Sequence, residues 1–221
     1  MLTVHHLENS RSQRVLWLLE ELHVRYEVKR YDRDPETSLA PDSLRAIHPL
    51  GKSPVIEDGE DTIAETGAIF EYLLETYDRG HAFHAKPGTQ ARRGLTYWLH
   101  YAEGSAMTPL LLKLVFSSLP ERSPTLLKPL IRSMSNRIED GFVDPRILGH
   151  IEYWESALSA TGWFVGERFS AADIMMSFPL EGASARMNLD GYQNIARFLK
   201  ACRSRPAYQA ALETGGPYAY A

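Results

Sequence analysis

The densest group of binding chemistry in this chain is Gly51-Lys52-Ser53-Pro54-Val55-Ile56, followed nine residues on by Glu65-Thr66. Pro54 stands at the mouth of an apolar strand. It cannot donate to a sheet ladder, so it belongs at an edge or at the first strand position. A cis peptide bond there would turn the backbone of Ser53 outward, where its N–H and C=O could pair with an extended peptide by strand addition. Glu65-Thr66 opens an amphipathic helix. The free N–H groups and partial positive charge of a helix N-terminus suit a carboxylate. Glu65 can receive an ammonium, and Lys52 a second carboxylate. Together these residues form a receptor for a short peptide with a zwitterionic head, a backbone middle and an anionic tail.

The elements that must hold these residues follow from periodicity. Leu2 to Leu7 reads as a buried strand, broken by Glu8-Asn9-Ser10-Arg11-Ser12. Val15, Leu16, Leu18, Leu19 and Leu22 recur at helical spacing. Val24, Tyr26 and Val28 alternate with charged residues as a half-exposed strand, parallel to the first because a helix separates them. Asp32 to Pro49 reads as a loop with a short helix around Ser43 to Ala46. Ser53 to Ile56 and Thr62 to Ala64 form a hairpin across Asp58-Gly59-Glu60-Asp61. The helix from Glu65 carries Ile69, Phe70, Leu73, Leu74 and Tyr77. This order predicts an α/β, thioredoxin-like half over residues 1–78.

Residues 79–88 read as a linker, and 89–221 as an all-helical half. A long helix is expected from Thr89 to Ser117, kinked or interrupted by Pro109. A second carries Leu126, Leu130, Ile131, Met134 and Ile138. Asp144-Pro145 is expected to cap and open a third. Ser170-Ala171-Ala172-Asp173 has capping-box spacing, with Phe169 and Ile174 as a hydrophobic staple, a structural signal. Helices follow at about Tyr192 to Cys202 and Pro206 to Leu212, then an irregular tail.

Of the 221 residues, 44% are hydrophobic and 24% charged, as in an ordinary globular protein. A net charge of -4 offers no general attraction for nucleic acid or anionic membranes. The single cysteine, Cys202, excludes an internal disulfide and fits a reducing, cytoplasmic setting. Neither a secretory signal nor a membrane-spanning apolar run is expected. His81 and His84 lack a convincing third ligand, so no metal site is expected. Cys202 reads as a small buried residue.

The motif Ser10-Arg11-Ser12-Gln13-Arg14, the Gly51-to-Val55 run, Glu65-Thr66, and the Ser170-to-Asp173 box after Trp163-Phe164-Val165-Gly166-Glu167 together resemble the cytosolic glutathione transferases. The resemblance covers nearly the whole chain. His6, Ser10-Arg11-Ser12, Arg14, Trp17-Leu18-Leu19-Glu20 and the Tyr101-to-Ser105 run are similar to the serine-type branch found in fungi and bacteria. The resemblance implies that a hydroxyl at the end of the first strand donates to the glutathione sulfur. A free thiol has a pKa of about 8.5 and needs such help to ionise at neutral pH. Counting back from Arg14 puts Ser10 in that role, with Asn9 and Ser12 as alternatives. The thiolate would attack small apolar electrophiles, and the same site could reduce organic hydroperoxides.

Carried over by position, Ser53 would pair with the cysteinyl backbone, Pro54 would be the cis-proline, and Val55 would continue the strand. Glu65 and Thr66 would hold the γ-glutamyl end, and Lys52 the glycine carboxylate. Tyr97, Tyr101, Ser105 and Thr108 share a helical face expected to line the electrophile site. Glu103 is placed to reach a glutathione ammonium across a homodimer interface. Glutathione is implied as co-substrate, with no further cofactor. The pattern also admits a non-catalytic binding or protein-interaction module. The hydroxyl at position 10 beside an intact peptide-binding set favours the enzyme, and the missing active-site cysteine disfavours a thiol-disulfide reductase.

Overall fold

The computed structural model describes residues 1–37 and 39–220; Ser38, within the expected loop, and Ala221, in the expected helical half, lie outside the described residues. Strand β1 (Leu2–Leu7) is the buried centre of a four-stranded sheet of order β2-β1-β3-β4 among the described residues. Helix α1 (Ser12–Glu21) crosses over to β2 (Tyr26–Tyr31), which therefore pairs parallel to β1. A short α2 (Asp42–Arg45) precedes β3 (Val55–Asp58), which runs antiparallel to β1 and to β4 (Asp61–Ala64). Sheet pairing starts at Val55 rather than Ser53, because Pro54 has no N–H to give. The N-terminal part closes with α3 (Thr66–Tyr77), completing a thioredoxin-like domain.

The rest is helical. Thr89 caps α4 (Gln90–Tyr101) by accepting the Arg92 N–H at 3.1 Å. A π-helical turn over Ala102–Ala106 hands the chain on to α5 (Met107–Ser118). A 3-10 turn (Thr125–Leu127) leads into α6 (Lys128–Ile138), a second π-helical turn (Glu139–Val143) and α7 (Asp144–Leu158). Then come α8 (Ala171–Ser184), α9 (Gln193–Arg203) and α10 (Pro206–Gly215).

Two expectations are corrected here. The long helix is interrupted one turn ahead of Pro109, and Asp144 is no N-cap, because the chain reaches it already helical. The two departures share a cause. A proline removes the hydrogen bond to the carbonyl four residues back, Ser105 for Pro109 and Gly141 for Pro145. Both carbonyls lie inside the π-helical turns, where the bonding pattern has already shifted. The Asp144 carboxylate instead pairs with Lys113 at 2.9 Å.

Helix α1 is the joint between the two parts. Trp17 packs on Phe169 and Tyr208 with ring centroids 5.6 and 4.9 Å away, and its Nε1–H donates to Glu21. Helix α8 is buried over nearly its whole length. Its N-terminus is fixed by the capping box: Asp173 accepts the Ser170 N–H at 2.7 Å and the Phe164 N–H at 2.8 Å.

Candidate active site

Lys52, Ser53, Pro54, Glu65 and Thr66 line one cleft of about 290 Å³, shared with Arg11, His48, Leu50, Ala64 and Glu103. Gly51 turns the chain into it with φ +56°, and a side chain there would run into Arg45. The Ser53–Pro54 bond is cis. Ser53 Oγ donates to the His5 carbonyl at 2.8 Å and accepts the Leu7 N–H at 3.2 Å, which pins this loop to β1. Val55 lies behind the cleft, fully buried in the sheet. Glu65 holds φ +71°, a conformation that costs a non-glycine residue about 1–3 kcal/mol and persists where the surroundings impose it. It stands at the open N-terminus of α3, with the Thr66 side chain tucked beneath.

Ser10 lines an adjoining cleft of about 350 Å³ with Asn9, Arg11, Lys52 and Ser53. Its Oγ accepts the Ser12 N–H at 3.2 Å and lies 3.5 Å from Ser53 Oγ. Behind it, Ser12 Oγ is hydrogen-bonded to Ser10 Oγ at 2.7 Å and to His6 Nδ1 at 2.8 Å. Ser12 is thus engaged on both sides and fully buried. Burial drives His6 down to about 4, with the Arg30 charge acting the same way, so the imidazole is neutral at pH 7. Asn9, at φ +48°, reaches the other end of the chain: its Oδ1 accepts the Ala219 N–H at 2.8 Å. Of the three thiol-activating candidates, Ser10 and Asn9 line this cleft and Ser12 does not.

Glu103 reaches this site within its own chain. The first π-helical turn carries it toward α1, where it takes Arg11 Nε at 2.7 Å and pairs with Arg14. Burial opposes ionisation, yet the Arg14 and Arg11 charges hold its carboxyl below the usual range. Arg14 is itself buried and donates to the Met175 carbonyl at 2.8 Å.

A third cleft, about 470 Å³, opens beside Asn9 and Arg11 toward the helical part. Its apolar wall is Met107, Leu110, Leu111 and Leu114 of α5, facing Phe178 of α8. The expected Tyr101 and Ser105 line none of these three clefts. Tyr101 turns to α7, hydrogen-bonding His150 and accepting the Trp154 Nε1–H at 3.1 Å. Burial pushes its hydroxyl up to about 12. Tyr97 stacks on Tyr101 and hydrogen-bonds Tyr153. Ser105 and Thr108 are exposed, beyond the π-helical turn that breaks the helical register. Sequence reasoning missed Arg11, His48, Phe178 and the α5 wall. The spacing of Met107, Leu110, Leu111 and Leu114 was a visible signal for the wall.

The tail closes one side of this region. Tyr218 donates to Glu181 Oε2 at 2.7 Å, Tyr208 to its Oε1 at 2.9 Å, and Tyr220 lines the third cleft. Burial pushes Glu181 up to about 7, against the hydrogen bonds from Tyr218 and Tyr208. The folded protein therefore keeps a proton there at pH values where the unfolded chain has lost it. Stability falls as pH rises from the ordinary glutamate range toward about 7. Glu181→Gln fixes the neutral form. Its melting temperature relative to the wild type is expected to climb between pH 5 and pH 8. The slope flattens without vanishing, because burial also raises Asp173 to about 7. Parallel melting profiles would contradict this reading of Glu181.

Among the described residues no group of three or more His, Cys, Asp or Glu side chains could hold a metal ion. His84 is instead hydrogen-bonded to Asp78 at 2.8 Å and to His81 at 3.0 Å. Burial pushes the Cys202 thiol well up. No helix among the described residues is long and apolar enough to cross a membrane.

A thioredoxin-like domain joined to a helical one, with a peptide-sized cleft at the cis-proline loop, defines a class of proteins, and comparison with known proteins places the chain within it. Residues 1–75 match the family model for the glutathione S-transferase N-terminal domain, and residues 128–215 a model for the C-terminal domain. The chain is 34% identical to glutathione S-transferase 3 of Schizosaccharomyces pombe, over 96% of this chain and 87% of that protein. It is also 34% identical to glutathione S-transferase 1 of Saccharomyces cerevisiae, over 96% and 94%. A crystal structure of a glutathione S-transferase from Actinobacillus pleuropneumoniae superposes with a TM-score of 0.82 at 33% identity, over 100% of this chain and 95% of that one. The chain belongs to the glutathione S-transferase family.

Proposed function

We propose that this protein binds glutathione along the cis-proline loop, holds its sulfur as a thiolate at Ser10 and transfers it to a small apolar electrophile. The observation that carries this reading is the convergence of Lys52, Ser53, Pro54, Glu65 and Thr66 on one cleft that abuts the Ser10 hydroxyl. In this reading Ser53 pairs its backbone with the cysteinyl unit. Glu65 and the α3 N-terminus take the ammonium and carboxylate of the γ-glutamyl end, and Lys52 takes the glycine carboxylate. The Ser10 hydroxyl donates a hydrogen bond to the sulfur, which favours the thiolate once the thiol proton has left to solvent, and the N-terminus of α1 adds partial positive charge. The thiolate forms a bond to the electrophilic carbon as the leaving group departs with its electron pair. Glutathione is a co-substrate here, and no further cofactor is required. Hydroperoxide reduction by the same thiolate is a second use of the site.

Pairing with a second copy of the chain, in a cytoplasmic setting, completes the reading. The exposed stripe of Leu130, Met134 and Ile138 on α6 supports such a partner. Incubation with glutathione and 1-chloro-2,4-dinitrobenzene tests the chemistry: the S-aryl conjugate is expected to accumulate catalytically. Saturable glutathione binding without any conjugate would favour a binding module instead.

A further inference from the structure

The third cleft is apolar along one side and cationic along the other. Arg11, Arg33, Arg122 and Arg186 line it, and among the described residues no Asp or Glu side chain does. This runs against the composition of the chain, in which 28 acids outnumber 24 bases. Arg11 is ion-paired with Glu103, a carboxylate it shares with Arg14. Arg186 is different: half-buried, it donates to the Gly182 carbonyl at 2.8 Å and to Tyr220 Oη at 3.1 Å, both uncharged acceptors. Its guanidinium lies 5.3 Å from the Tyr220 ring centroid. Tyr220 thereby steadies the charge without cancelling it. Arg122, from the turn after α5, is exposed at the same cleft. Neither Arg122 nor Arg186 has an ion-pair partner among the described residues.

Resting on the glutathione-transfer reading, and narrowing it, we propose that the electrophile this cleft accepts carries an anionic group, a carboxylate or sulfonate, on an apolar body. The body lies against Leu110, Leu114 and Phe178, and the anion meets Arg186 and Arg122. A guanidinium fork matches a carboxylate in shape and forms charge-assisted hydrogen bonds about twice as strong as neutral ones. A cleft lined by one sign of charge, with low-dielectric walls, also concentrates oppositely charged substrate. A neutral electrophile fills the apolar wall and leaves both arginines unused.

The preference is read first by binding, without turnover. 3-Nitrobenzoate and its methyl ester share a ring and differ in charge, and neither reacts with glutathione. Titrated onto the full-length, glutathione-loaded protein, the acid is expected to bind about tenfold tighter than the ester, with a gap that narrows as salt rises. Arg186→Gln should shrink that ratio at least several-fold. Arg122→Gln, at an exposed position, provides a second reading where folding is not at stake, and should shrink it less. Equal binding of acid and ester, or a ratio that neither variant moves, overturns the proposal. Turnover then separates it from the reading beneath. 4-Chloro-3-nitrobenzoate and its methyl ester both exchange chloride for the thiolate sulfur, and each rate is divided by its uncatalysed rate. Conjugation of the ester without preference for the acid defeats the anion site alone. Acid-selective binding with no conjugation of either defeats glutathione transfer and leaves the anion site standing.

Discussion

Alanine at position 10 is expected to return the thiol of bound glutathione toward the free value of about 8.5. It should also lower kcat about a hundredfold, the scale on which removing one donor to a developing anion acts. Glutathione affinity should change little, because Lys52, Ser53 and Glu65 line the cleft independently of Ser10. The thiolate absorbance of bound glutathione, followed against pH in wild type and Ser10→Ala, measures this directly. Ser10 lines the cleft, whereas Ser12 Oγ is buried between Ser10 and His6; Asn9 also lines the cleft, with its Oδ1 holding the tail at Ala219. A depressed thiol pKa that survives the substitution would move the role to one of those neighbours or to the α1 terminus. An unshifted thiol in both proteins would remove thiol activation from the account.

The second large effect is expected on stability. Glu103→Ala takes the carboxylate from Arg14, which is 1% exposed and has no other anionic hydrogen-bond partner among the described residues. A buried charge left alone typically costs 3–5 kcal/mol. Glu103 is partly open to solvent, so a loss of about 3 kcal/mol in urea unfolding is expected here. Combining it with Arg14→Met should recover most of that loss, because the double variant buries no unpaired charge. Arg11, at the surface, can be solvated. A single-variant loss below about 1 kcal/mol would place this pair with ordinary surface ion pairs. The sign with pH follows from the depressed Glu103 carboxyl. Its stabilisation is present above the ordinary carboxylate range and is lost as pH falls through the depressed value.

What was legible in the chain was whatever is written locally. The cis-proline loop, the Glu65-Thr66 helix mouth and the Ser170–Asp173 box each need only a few consecutive residues, and each lies where the pattern put it. The parallel β1–β2 pair followed from one intervening helix. Ser105 and Thr108 were drawn onto the Tyr97–Tyr101 face at 3.6 residues per turn, and the π-helical turn at Ala102–Ala106, ahead of Pro109, breaks that register. Tyr101 lies before the turn and is taken up by α7, a long-range contact that periodicity does not show. Contacts between distant segments were also invisible: Glu103 meets Arg14 across 89 positions, and Asn9 meets Ala219 across 210. The arginines of the third cleft come from four separate segments and share no motif.

The π-helical turn before α5 also bears on how such a site can diverge. A helix advances about 100° per residue, so removing one residue from Ala102–Ala106 would rotate the whole of α5 by roughly that angle. The rotation would swing Met107, Leu110, Leu111 and Leu114 off the third cleft together, while Lys52, Ser53, Pro54, Glu65 and Thr66, on a different part of the chain, kept their places. A single in-frame codon gained or lost here would change the whole α5 side of the third cleft in one step, a change that point substitution would have to reach residue by residue.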